Sequence, residues 1–147
     1  MLSNVYGPHN QHDCRLFFSE LSTSRSKYTL PWDLIGDFNV TRFSSEWKGA
    51  VSSLKPSSIF NNFINSQALT EIGLFNKKFT WSNFREEPSL ATLDCCFVSI
   101  DWQHRFPLVN LRNMVRPTSD HIPLLLHIES DLQGKSSGNK PFRFKNL

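Results

Sequence analysis

The chain is sparing with several kinds of residue, and each shortage narrows what it can be. Nowhere in its 147 residues does an apolar run approach the ~18 needed to cross a bilayer. No charged start followed by an apolar stretch marks a secretory leader. The expectation is a soluble, non-secreted, intracellular protein without a membrane partner. Cysteine is scarce: Cys14 stands alone and Cys95-Cys96 are neighbours, with no C-x-x-C spacing. Three thiols cannot all pair with one another. A vicinal pair without companion cysteines or histidines makes a poor zinc clamp, so reduced structural thiols are expected. Charge of one sign is also lacking. A net +3 permits contact with nucleic acid without arguing for it.

What the sequence has is aromatic rings. Thirteen Phe and four Trp suit packed sheets, because each buried ring removes a large apolar area from water. Core packing is the default reading for most of them. The length suits about one domain, placed at residues 1–130. Residues 131–147 read as a basic linker and tail: Gly134, Ser136, Ser137 and Gly138 supply flexibility, and Lys135, Lys140, Arg143 and Lys145 stand without an acid after Asp131. A solvated tail is the commoner meaning of such a run, and a phosphate-contacting arm is the other.

Periodicity supplies the elements. Residues 3–8 read as an extended segment ended by Gly7-Pro8. Asp13 can cap a helix over 14–22, with Leu16, Phe17 and Leu21 forming its apolar stripe. Residues 32–35 suggest a short buried strand that ends at Gly36-Asp37, and 41–56 a polar surface loop. Ser57 or Ser58 can cap a second helix, in which Ile59, Phe60, Phe63, Ile64 and Leu69 recur at three- and four-residue spacings. Phe79-Thr80-Trp81 is β-rich, and 93–99 and 124–128 are strand candidates. Helices and strands interleave, which indicates an α/β layer architecture.

Three polar constellations fall at strand ends, where α/β folds assemble sites from distant sequence. Asp37-Phe38-Asn39 places a carboxylate and an amide on one side of an extended segment, with Phe38 turned the other way. A carboxylate can accept the proton of a water, and an amide can donate to a phosphate oxygen. Asp94 follows Leu93 at the start of a strand. Ser119-Asp120-His121 brings acid and imidazole together, and an imidazole can donate to a phosphoryl oxygen or take a proton. Asp94 could supply the carboxylate that fixes its tautomer. Each constellation alone is more often an ordinary turn or a satisfied strand end. Their joint appearance in this order carries the argument.

The chain resembles the endonuclease/exonuclease/phosphatase superfamily, specifically the endonuclease domain of plant non-LTR (LINE-type) retrotransposons. The matching residues are Asn4-Val5-Tyr6-Gly7-Pro8, Leu34 to Val40, Phe79-Thr80-Trp81, Leu93-Asp94 and Arg116 to Leu124. The resemblance implies a four-layer α/β sandwich, of which this chain would be the C-terminal part. It implies hydrolysis of a DNA phosphodiester with Mg²⁺ as cofactor and DNA as partner, and nuclear action. Tyr6, Asp37, Asn39, Asp94 and His121 would be catalytic. Asp120 would lie beside the metal. Tyr6, Asn39, Ser119 and His121 would contact nucleic acid, with Asp94 orienting His121. The family's early asparagine and metal-ligating glutamate precede the point where this sequence begins, and Cys95 stands where the family has arginine. The expectation is a truncated endonuclease without activity, separated from its reverse transcriptase. A non-catalytic nucleic-acid-binding remnant and an unstable pseudogene product are the alternatives.

Overall fold

The structure is a computed structural model and describes residues 1–49, 57–75, 78–116 and 118–129. The expected basic tail, 131–147, lies outside them, as does much of the expected loop at 41–56.

The central sheet is built from four strands: β1 (Leu2–Tyr6), β2 (Asp33–Asp37), β4 (Leu69–Glu71) and β8 (Asp94–Ser99). Their spatial order is β1-β2-β8-β4, with β1 parallel to β2 and the other pairs antiparallel. A second sheet contains β5 (Leu74–Phe75), β9 (Val109–Asn113) and β10 (Leu124–Ile128), in the order β10-β9-β5. A small third sheet joins β3 (Trp47–Lys48), β6 (Trp81–Ser82) and β7 (Leu90–Ala91). The helices are α1 (Gln11–Ser26), α2 (Ser58–Ser66) and the short α3 (Ile100–Arg105).

Strand alternation divides the core into two layers. In β8, Cys95 and Phe97 face the helices, while Cys96 and Val98 face the second sheet. All four are buried, as the period-2 pattern of a strand covered on both sides requires. On the helical side, Phe18 of α1 stacks on Phe60 and Phe63 of α2, with ring centroids 5.2 and 4.9 Å apart. Phe60 in turn stacks on Phe38 at 4.8 Å. On the other side, Ile72, Trp102 and Leu111 close over Cys96 and Val98. The outer face of the second sheet carries no helix among the described residues, and Leu125 stands 45% exposed there. The architecture is therefore a partial α/β sandwich.

Several element boundaries differ from the sequence reading. α1 begins three residues earlier than expected because Asn10, not Asp13, is its cap. The Asn10 side chain accepts from the Asp13 amide, which satisfies one of the orphan donors of the first turn. Leu16 is not on the buried stripe: it is 61% exposed, and Phe18 takes its place. Ser57 caps α2 by accepting from the Phe60 amide. Leu69 belongs to β4 rather than to that helix. β2 continues through Gly36 and Asp37 instead of ending before them. Glycine is needed at position 36: its φ is +145°, and a Cβ would sit 2.1 Å from the Val5 carbonyl oxygen. Trp47, in the expected loop, forms part of β3.

Candidate active site

Strand register builds the site. Tyr6, Asp37 and Asp94 occupy matching positions on three adjacent strands, β1, β2 and β8. His121 reaches this row through an isolated bridge to Trp81. The result is a cleft of about 730 Å³ lined by Tyr6, His9, Asp37, Asn39, Trp47, Trp81, Leu93, Asp94, Ser119, Asp120 and His121. All the candidate residues named from the sequence are in it.

At its centre His121 lies between two carboxylates. Its Nδ1 is 2.9 Å from Asp94 Oδ2, and its Nε2 is 3.8 Å from Asp37 Oδ2. An ionised carboxylate can only accept, so Nδ1 carries the proton toward Asp94. In the neutral ring, Nε2 is then left as an acceptor facing the cleft. Asp37 is 9% exposed, and burial pushes its carboxyl above the ordinary value against the pull of the Asn39 amide.

Asn39 is not on an extended backbone, which corrects the sequence reading. Its φ is +53°, a conformation that asparagine tolerates better than most residues. Its amide N–H turns back to Asp37 Oδ1 at 2.8 Å, and its side-chain nitrogen donates to the Gly7 carbonyl at 2.7 Å. Asn39 thus ties the β2 turn to the segment after Tyr6. Phe38 faces away into the helical core, fully buried. Glycine at position 7 allows this approach, since a Cβ there would meet the Phe38 carbonyl oxygen at 2.2 Å.

The loop around Asp120 is held from both sides. Trp81 Nε1 donates to Asp120 Oδ2 at 2.9 Å, and this bond lowers the pKa of an otherwise exposed carboxyl. Arg116 donates to the Asp120 carbonyl at 3.0 Å while its guanidinium lies 4.2 Å from the Phe84 ring centre. Exposed Ser119 closes a local turn, its hydroxyl accepting from the His121 amide at 3.1 Å. Thr80 links these pieces. Its carbonyl accepts from the Ile122 amide, and its hydroxyl accepts from the Leu93 and Asp94 amides.

Asp37, Asp94 and His121 offer oxygen and nitrogen atoms that all lie within 4.8 Å of one another. Two carboxylates and an imidazole at this spacing could hold a divalent metal ion. Asp120 lines the same cleft outside that close group. Cys95 points to the opposite face of β8, where the guanidinium present is that of Arg42, 5.4 Å from the Phe97 ring centre and 2.7 Å from Glu71. Sequence reasoning missed His9 and Trp47 as cleft residues. For Trp47 the available signal was a large ring in an otherwise polar segment. His9 had none beyond its place three residues after Tyr6.

The chain superposes over 88% of its length on the 3′-5′ exonuclease NExo from Neisseria meningitidis, with a TM-score of 0.66 and 16% identity. It covers the same share against the endonuclease domain of TRAS1, a telomere-specific non-LTR retrotransposon, at 0.66 and 14%. The fold is that of the endonuclease/exonuclease/phosphatase proteins. A NExo 3′ phosphatase structure bound to a product DNA hairpin gives 0.64. The chain spans 61% of NExo and 57% of the TRAS1 domain, about three-fifths of this nuclease fold. No family model matches the sequence, and no curated protein matches it significantly.

Proposed function

We propose that this chain carries the phosphate-facing side of a DNA endonuclease site inherited from a plant LINE-type retrotransposon, with phosphodiester hydrolysis as its reaction and activity at or near background. The observation that carries this reading is the cluster of Asp37, Asp94 and His121 in one cleft, with Tyr6 and Asn39 at its wall. Asp37, its carboxyl raised by burial, is the group placed to accept a proton from an attacking water. Asp94 holds the His121 ring so that Nε2 faces the scissile phosphate, and the protonated ring can donate to a phosphoryl oxygen. Mg²⁺, when bound by the cleft carboxylates, would stabilise charge developing on phosphate oxygen.

The background-level activity rests on how the cleft carboxylates are engaged: Asp94 Oδ2 holds His121 and Asp37 Oδ1 holds the Asn39 amide, so a cation there would compete with the hydrogen bonds that order the site. Metal affinity should be correspondingly weak.

Purified protein incubated with supercoiled plasmid and Mg²⁺, beside EDTA and Asp37→Ala controls, tests the reading. Nicking at or barely above background is expected, together with duplex binding that weakens steeply with added salt. Strong nicking that EDTA and Asp37→Ala both abolish would overturn the low activity while keeping the nuclease. Folded protein that leaves duplex DNA unbound at low salt would remove the nuclease reading itself.

A further inference from the structure

Resting on that reading of the cleft, we propose that His9 is a positioning residue that turns the Tyr6 hydroxyl into a hydrogen-bond donor for a substrate phosphate. His9 lines the cleft at the wall formed by Tyr6. Its Nε2 is 3.1 Å from the Tyr6 hydroxyl oxygen, and the two rings meet edge to face with centroids 5.9 Å apart. Gly7, which leads from one ring to the other, is anchored by its amide on the Asp37 carbonyl and by its carbonyl on the Asn39 side chain. The base of this pair is therefore fixed to the same turn that carries the carboxylate.

A phenol has one proton to give and lone pairs to offer. If His9 Nε2 is unprotonated it accepts the hydrogen bond of the Tyr6 O–H, and the phenolic oxygen then presents only lone pairs to the cleft. Phosphate oxygens are acceptors, so that arrangement repels them. If Nε2 carries the proton it donates to the phenolic oxygen instead. The Tyr6 O–H is then free to point at a phosphate oxygen. The ligand class is an anionic phosphate ester, and its arrival selects the Nε2-protonated ring. No atom is transferred: the imidazole chooses the direction of one hydrogen bond. Tyr6 is 70% exposed, and among the described residues His9 is the hydrogen-bond partner of its hydroxyl.

The test uses the full chain with Asp37→Ala, which prevents cleavage, and a short fluorescein-labelled DNA duplex. His9→Leu should weaken binding about 2- to 10-fold, the range one lost hydrogen bond produces. His9→Gln, which keeps an N–H donor, should restore most of it. In a Tyr6→Phe background the His9→Leu effect should vanish, because the two act as one unit. Equal affinity of wild type and His9→Leu, or full additivity with Tyr6→Phe, overturns the proposal. A ¹⁵N spectrum of the His9 ring separates this from failure of the nuclease reading. With no DNA present, Tyr6→Phe should shift the His9 Nε2 resonance, and inorganic phosphate should move the wild-type ring toward its Nε2-protonated form. An unmoved resonance in both experiments overturns the proposal, whether or not the protein binds DNA.

Discussion

Thr80 shows how much one side chain can organise. It is fully buried, and its hydroxyl oxygen receives the amides of both Leu93 and Asp94 at 3.0 Å. Valine has nearly the same shape but no acceptor, so Thr80→Val would leave two amides beside the site without a partner. The expected cost is about 1–3 kcal/mol, read as a lower urea midpoint, and Thr80→Ser should recover part of it. An unchanged midpoint for Thr80→Val would show that water or backbone replaces the hydroxyl. Asp33 makes a second point. Burial raises its carboxyl above the ordinary 3.8, against a weak donation from the Cys96 thiol. The folded chain therefore keeps this proton to higher pH than the unfolded chain does. Stability falls as pH rises between the two values, and above the folded one the loss is complete. Asp33→Asn should accordingly raise the urea midpoint at pH 7 and leave it unchanged below about pH 3, where both states are protonated. Buried Asp37 and half-buried Glu71 shift in the same direction, so they add to the wild-type slope without affecting the difference between the two chains. A variant equal to wild type at both pH values would refute the assignment.

At the scale of elements, α2 is the wedge that holds the helical layer to the central sheet. Phe60 touches Phe18, Phe38 and Phe97 through ring contacts at 5.2, 4.8 and 5.5 Å. Truncating it opens a cavity among groups that cannot all move inward. Phe60→Ala should destabilise by about 3–5 kcal/mol, measurable as a large fall in melting temperature. A small fall would mean that Phe18 and Phe38 collapse into the space. The sequence made α2 legible because its apolar spacing and its serine cap agree. α1 was harder. Cys14 and Phe18 form its buried line, while the more obvious Leu16 faces solvent, and Asn10 and Asp13 compete for the cap in sequence. β4, β5 and β9 were not read at all: the first two are three and two residues long, too short for alternation to show, whereas β9 does alternate apolar Val109 and Leu111 with polar Asn110 and Arg112 and its signal was there to be read. The meeting of Asp37, Asp94 and His121 was legible from the order of the motifs. The turn at Asn39 and the approach of His9 were not, because both depend on a left-handed residue and on strand pairing that composition does not record.

For the whole molecule, what matters is how open the sandwich is. Among the described residues β1 is an edge strand of the central sheet, with Leu2 68% exposed. Beside it runs an apolar hollow of about 360 Å³ lined by Leu2, Ile35, Ile122, Pro123 and Leu124, which continues into the site at Asp94 and His121. Unpaired strand edges next to apolar surface invite pairing with another chain. The apparent mass in light scattering should therefore rise with protein concentration, and Leu2→Lys should suppress the rise. A concentration-independent monomer would show that the edge protects itself. The cross-strand row Tyr6, Asp37, Asp94 has a different kind of consequence, for inheritance. Adjacent strands are spaced about 4.8 Å apart whatever their sequence, so the row works as a ruler written in backbone rather than in side chains. Insertions between the strands leave its spacing unchanged, while deletion of one residue within a strand turns every later group to the opposite face. Chains of this fold superpose at only 14–16% identity, and a spacing set by the backbone needs only a count along three short strands to stay the same.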